Sequence, residues 1–241
     1  MYYWVMRVEP FGIGSIVHLT QRGTRGTDIM RDDSDGMRIV RTFRYLNDTH
    51  TDQFWHRSVA DLPALARPDY WPQRDPLVRI LGWTLLSNHF HLLVQEIRDG
   101  GIAKFMQRVD GSMSKYFNAK YNEKGSLFQG SYHARAVTSD EHHQYLAFYI
   151  LVKNVLDMYP GGLRAAQDNF DDAWEWAKQY PYSSFRDIIS GASSPIVDDE
   201  EGLVAGIISS GDAYKQEARE LLHSHMASHG EEFKDLMLEP W

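Results

Sequence analysis

The sequence predicts an α+β fold in which a ferredoxin-like split βαβ unit is followed by one further helix. Three observations predict it. The elements read along the chain run β-α-β-β-α-β-α. Apolar residues alternate in the strands and recur every three or four positions in the helices. The 43% of hydrophobic and 13% of aromatic residues suffice for a sizeable core and exclude wholesale disorder. At 241 residues this is one large domain or one domain with an appendage.

Gly14 to Gly23 reads as the first strand, with Ile16, His18 and Thr20 alternating against Val17, Leu19 and Gln21; it closes in the basic, Gly-bearing turn Gln21-Arg22-Gly23-Thr24-Arg25. Asp32 to Asn47 reads as a helix whose apolar face is Met37, Val40, Phe43 (or Arg44) and Leu46. The Pro-rich stretch Pro63 to Pro76 separates it from the longest β-like region, Val78 to Glu96, which Ser87-Asn88 divides as a hairpin turn. Gly100-Gly101 releases a helix over Ile102 to Tyr121, with Phe105, Met106, Val109, Met113, Tyr116 and Phe117 at helical spacing. After the Lys124-Gly125 turn, Tyr132 to Val137 is a short strand, and Thr138-Ser139-Asp140-Glu141 is a capping box that opens a helix through about Asn154.

Pro160-Gly161-Gly162 ends this core. Asn169 to Tyr180 reads as a helix stopped by Pro181, Ser183 to Phe185 and Asp198 to Glu201 as loop, and Asp212 to His225 as a last amphipathic helix. The expected division is a domain over 1–190 and an acidic C-terminal helical appendage over 191–241.

Charge divides the chain in the same way. Of the formal −8, all sits after Ser194, where eleven acids face three bases; the preceding residues are neutral. Glu96 to Val137 carries seven bases against four acids, a mild excess that suits a phosphate-binding face or a solvated helix surface. The global acidity counts against avid nonspecific DNA binding. No run of eighteen apolar residues occurs, and Met1 to Pro10 lacks the basic start and apolar centre of a signal peptide, so the expected location is cytoplasmic, with no membrane contact. The absence of cysteine removes disulfides, thiolate metal sites and cysteine nucleophiles.

Two features bear chemistry. In His89-Phe90-His91-Leu92-Leu93-Val94 alternate strand residues share a face, so both imidazoles project side by side as a two-ligand metal platform; a pair of water-facing histidines would have the same spacing. Tyr145 and Tyr149, four apart, share one face of the helix after the last strand. Tyrosine in such a place usually packs, but a phenolate beside a metal can attack a phosphodiester and hold the phosphate covalently.

These segments occur within an ordered series: Gln21-Arg22-Gly23, Leu86-Ser87-Asn88-His89-Phe90-His91-Leu92-Leu93, Gly101 to Gln107, Tyr116-Phe117-Asn118, Gly125 to Gly130, Tyr149-Ile150-Leu151-Val152-Lys153-Asn154 and Tyr180 to Phe185. On them the chain, from about Ile16 to Phe185, resembles the single-tyrosine HUH transposases, in particular the REP-associated tyrosine transposases. The resemblance implies a DNA transposase of the HUH endonuclease type, with 1–190 as its catalytic domain, that cleaves and rejoins single-stranded or hairpin DNA through a 5′-phosphotyrosine. It implies Mg2+ or Mn2+ on His89 and His91 and Tyr149 as nucleophile, with Tyr145 as the fallback, in a monomer or homodimer.

One departure from the family pattern matters. The amide expected four residues after the tyrosine is here Lys153, and Asn154 lies one further on, about 140° round an ideal helix from Tyr149. A helix end or bulge would bring Asn154 back as a third metal ligand; otherwise Lys153 faces the metal region and contacts phosphate instead, and Gln129 and His142 are weaker candidates for the third ligand. Arg22, Arg25, Lys104, Arg108, Lys115, Arg135 and Lys153 are the expected DNA contacts, with Phe128 and Tyr132 as base-stacking candidates or core. The competing reading is a domesticated or inactive single-strand or hairpin DNA-binding protein that keeps the fold. A structural metal protein without nucleic acid would leave the tyrosine helix and basic turn unexplained.

Overall fold

The computed structural model describes residues 11–208 and 212–228; the N-terminal segment Met1 to Pro10 and the acids from Glu231 onward lie outside the described residues. Strands β1 (Ile16–Arg22), β2 (Val78–Leu85), β3 (His89–Glu96) and β4 (His133–Ala136) pair in the order β2-β3-β1-β4, every neighbour antiparallel. That is the sheet a split βαβ unit builds, with β3 inserted between β1 and β2. The helices are α1 (Asp33–Tyr45), α2 (Trp55–Ser58), α3 (Gly101–Tyr121), α4 (Asp140–Phe148), α5 (Asn154–Asp157), α6 (Gly162–Asp168), α7 (Phe170–Ala177), α8 (Phe185–Ser190) and α9 (Asp212–Ser228). The α+β class and the strand order agree with the sequence reading.

Strand alternation assigns the two faces of the sheet. Val17, Leu19, Phe90, Leu92 and Val94 point to one side, where they pack with Ile39, Val40 and Phe43 of α1 and with Phe105, Met106, Val109, Met113 and Phe117 of α3. Helix α1 starts at a reciprocal cap in which the Asp32 carboxylate accepts from the Asp35 N–H and the Asp35 side chain accepts from the Asp32 N–H. Its buried stripe differs from the expected one: Ile39 takes the core position, while Met37 and Leu46 are only partly buried. Helix α3 is capped by Glu96, whose carboxylate accepts from the N–H groups of Gly101 and Ile102 at 3.0 and 2.9 Å.

The opposite face carries Leu93 and Leu81, covered by α4, a wider helical turn over Tyr149–Lys153, and α5. Ala166 of α6, Trp174 of α7 and Tyr214, Ala218 and Leu222 of α9 close a second core over them. Two segments read as loop have structural work. Leu85 donates its N–H to Tyr182, Ser184 to Trp83 and Asp198 to Ile80, so the chain after Pro181 covers the outer edge of β2. Ser184 then begins the short α8. The long α1–β2 connection packs Trp55, Val59 and Trp71 into a satellite against Tyr45 at the end of α1. Among the described residues no helix is long and apolar enough to cross a membrane.

Candidate active site

The register fixes what stands beside the strand histidines. His91 lies opposite Thr20 on β1 and Thr84 on β2, and His89 lies opposite Arg22, so all these side chains project to the face covered by α4 and α5. His89 and His91 have ring centroids 4.9 Å apart. Asn88 Oδ1 accepts from His89 Nδ1 at 2.6 Å, which leaves Nε2 as the acceptor nitrogen of that ring. On the other side His91 Nδ1 meets His18 Nε2 at 2.8 Å, with the rings stacked at 5.1 Å. His91 is fully buried, and its Nε2 has no hydrogen-bond partner among the described residues. Burial first, then the neighbouring His89, His18 and Lys153, holds its imidazole well below the usual histidine range. The ring is therefore neutral near pH 7, with a lone pair on offer.

The tyrosine segment sits directly above. Tyr149 is fully buried, its ring 5.6 Å from His91 edge-on and 6.3 Å from His18. Tyr145 stacks on it at 6.1 Å and its hydroxyl meets His225 Nδ1 of α9 at 2.9 Å. The segment approaches the sheet closely because Gly82 offers no side chain: a Cβ there would lie 3.2 Å from Leu151 Cδ2. The Lys153 ammonium is 5.0 Å from the Tyr149 ring centroid and 3.6 Å from Asp157.

Tyr149–Lys153 is a π-helical turn, closed by the Asn154 N–H donating to the Tyr149 carbonyl five residues back. The wider turn absorbs the extra residue between Tyr149 and Asn154 and cancels most of their angular separation. It also withdraws the Asn154 N–H from the Ile150 carbonyl, its acceptor in an α-helix. Thr84 donates its hydroxyl to that Ile150 carbonyl at 2.5 Å. Asn154 is fully buried, and neither polar atom of its amide has a hydrogen-bond partner among the described residues. Of the two ways in which the sequence allowed this amide to return, a helix end or a bulge, the bulge is present.

The other candidates fall into two groups. Arg22 and Arg135 belong to the histidine face by register, opposite His89 and His18, and Gln129, exposed, donates its N–H to the Arg22 carbonyl beside that strand end. Arg25 is exposed, with a left-handed backbone at φ 57°. His142 pairs through Nδ1 with the Thr138 hydroxyl. Lys104, Arg108 and Lys115 belong to α3, which packs on the other face of the sheet, so the expectation that this helix guides a strand to the tyrosine is corrected. The reason is alternation: the apolar residues that dock α3 lie between the histidines and turn them away from it. Phe128 is core, and Tyr132 is partly buried against it. Among the described residues no three His, Cys, Asp or Glu gather as a metal cluster.

Sequence reasoning missed His18, Thr84 and His225. For His18 a signal existed, since a histidine between Val17 and Leu19 in a buried strand needs a partner. For Thr84 and His225 there was none.

Residues 73–152 match the family model described as IS200-like transposase. Among curated proteins no match is found. A solved structure of a REP-associated tyrosine transposase bound to a REP hairpin aligns over 83% of this chain and 96% of its own, at 14% identity and a TM-score of 0.43. Over residues 73–152 the resemblance read from the sequence agrees with the family model: the segment that supplies His89, His91, Tyr145 and Tyr149 matches the IS200-like transposases.

Proposed function

We propose that this chain is a DNA transposase acting as a single-strand endonuclease, with single-stranded or hairpin DNA as its partner and Tyr149 as its nucleophile. The observation that carries this reading is the meeting of His91, His18 and Tyr149 under one π-helical turn, within the segment that matches a transposase family. In the reaction the Tyr149 oxygen gives up its proton and bonds to the scissile phosphorus, the bond to the 3′-oxygen breaks, and that oxygen leaves and takes up a proton. The energy kept in the 5′-phosphotyrosine allows a later 3′-hydroxyl to reverse the step and rejoin the strand. Lys153 sets positive charge beside the ring, where negative charge grows during attack.

The residues fit a divalent ion. The buried, unpartnered Nε2 of His91 and the unpartnered Asn154 amide are nitrogen and oxygen donors of the right type, and His89 presents the same nitrogen. His18 acts on the outer side, accepting the Nδ1 proton of His91 and so fixing the tautomer whose Nε2 is the ligand. A bound Mg2+ or Mn2+ would polarise a phosphate oxygen of the substrate.

One observation favours the second reading, an inactive DNA-binding protein. Tyr149 is fully buried, and α9 from the acidic 191–241 segment lies over the tyrosine helix through His225. The test is capture of a covalent adduct with hairpin-bearing single-stranded DNA in Mg2+. The wild type is expected to form one adduct, mapped by peptide analysis to Tyr149. Tyr149→Phe, and His89→Ala with His91→Ala, are expected to form none while remaining folded. An adduct on Tyr145 overturns the assignment, and no adduct from the wild type supports the inactive binder.

A further inference from the structure

Two arginines far from the histidines share one cavity. Arg44, in the last turn of α1, and Arg74, in the connection before β2, line a space of about 480 Å³ together with the chain from Gly191 to Glu200. Both side chains are half-buried. Among the described residues neither has a carboxylate within ion-pair distance. Arg44 keeps one contact, Nη1 donating to the Pro195 carbonyl at 2.5 Å, while its Nε is buried without a hydrogen-bond partner. Nε and Nη2 of Arg74 are both buried without one.

The acids whose charge reaches these guanidiniums are engaged elsewhere. Asp48 is held by Arg67 at 2.6 Å and Asp198 lies 3.6 Å from Arg79. Asp199, also on the cavity wall, accepts the N–H groups of Val204 and Ala205 at 3.0 and 2.8 Å. Burial first, and then the neighbouring charges of Arg74 and Arg67, lowers Arg44 to about 10. The two guanidiniums therefore repel each other while several of their donors lack acceptors. Like charges withdrawn from water in this way cost free energy that an anion brought from outside would remove.

We propose that this cavity binds a small phosphate-bearing molecule, whose phosphate dianion lies between Arg44 and Arg74. The planar forks of two guanidiniums match phosphate oxygens in geometry, and their two positive charges match a phosphomonoester, which is largely dianionic near pH 7. The cavity has the size of a small-molecule site, with room for a body attached to the phosphate. Its charge pattern selects a compact ligand over a nucleic acid. Asp187, Asp198, Asp199 and Glu200 line the same space, so a long polyanion would carry further phosphates against these acids, whereas a single phosphate meets the arginines alone. The site shares no residue with the tyrosine site, so the inference stands or falls separately from the DNA-processing reading.

The test titrates inorganic phosphate and glycerol 3-phosphate into the full chain at fixed ionic strength, with chloride as the control, and reads the melting temperature and the binding isotherm. At about five times its dissociation constant, each probe should raise the wild-type melting temperature by roughly 2–4 °C. Arg74→Gln removes an unpaired charge, so without ligand it should melt at or above the wild type, and it should lose at least half of the shift that either probe induces. Glu200 is exposed, and Glu200→Gln removes a repelling charge from the cavity wall, so it should tighten phosphate binding about twofold. A wild type that neither probe stabilises overturns the proposal. So does a full response in Arg74→Gln, or unchanged or weaker binding in Glu200→Gln, since either places the phosphate elsewhere. A response to inorganic phosphate alone means a bare ion site and overturns the small-molecule assignment. If Arg74→Gln melts well below the wild type without ligand, Arg74 serves the fold and the proposal fails. If hairpin-bearing DNA binds the wild type and Arg74→Gln loses that binding in step with the phosphate response, the arginines serve a DNA backbone and the small-ligand assignment is overturned.

Discussion

The two faces of the sheet are built from the same strands and differ in every property that matters. On the α1–α3 side, residues such as Val17, Leu19, Phe90, Leu92 and Val94 form an apolar core whose stability comes from area removed from water. One residue along each strand, His18, Thr20, Thr84 and His91 are buried just as deeply but are polar. They are tolerated because each has a partner: Thr20 donates to the Phe90 carbonyl, His18 pairs with His91, and Thr84 donates to the Ile150 carbonyl. Burying such groups costs free energy that apolar side chains would not, so the polar face is where the fold gives up stability for chemistry. The incomplete partners on that face, His91 Nε2 and the Asn154 amide, mark where a ligand would complete the network.

The comparison can be broken most strongly from its apolar side. Phe90 is fully buried between Phe43 and Phe128, and Phe90→Ala should cost about 3–5 kcal/mol in denaturant unfolding. A cost below that of a surface substitution would mean the apolar face is not the main core. A smaller effect, and one that depends on pH, is expected at Asp110, a carboxyl tucked behind the apolar face. Burial pushes it up to about 7, opposed by the hydrogen bond from Gln21 at 2.8 Å. Because the folded chain keeps a proton that the unfolded chain has lost, stability falls as pH rises from about 4 to about 7 and stays lower above that. Asp110→Asn should therefore stabilise the protein by about 1–3 kcal/mol at pH 8 and by almost nothing at pH 4. Equal effects at both pH values would refute the assignment.

On the polar face, Thr84→Val removes a hydroxyl donor from the buried Ile150 carbonyl and should cost about 1 kcal/mol, with Thr84→Ser restoring most of it. If the π turn sets the site, Thr84→Val should also lower adduct yield more than its stability loss explains; parallel behaviour of Val and Ser variants would detach Thr84 from the turn. The smallest change is Tyr145→Phe, which loses the contact to His225, worth about 1 kcal/mol, and should leave the adduct on Tyr149.

Legibility followed the range of the interactions. The order of strands and helices, the approximate limits of α1 and α3 and the shared face of His89 and His91 were readable because alternation and helical spacing involve residues a few positions apart; the capping box read at Thr138 to Glu141 shifts by one, Ser139 accepting from the His142 N–H. The short α6 and α8 were not, since helices of seven and six residues owe their existence to docking rather than to their own periodicity. The site divides in the same way. The Tyr149-to-Asn154 spacing showed by itself that a regular helix would misplace the amide. The bulge that corrects it is met by Thr84, 66 positions away from Ile150, and His91 by His18, 73 positions away, partners too distant along the chain to be read from spacing. The sequence by itself determined which side chains share a strand or helix face, because backbone geometry dictates those periods. Only the tertiary structure decided which faces meet. It set Tyr149 against His91 and carried the basic residues of α3 to the far side of the sheet, because that pairing depends on how separate elements bury their apolar surfaces against one another.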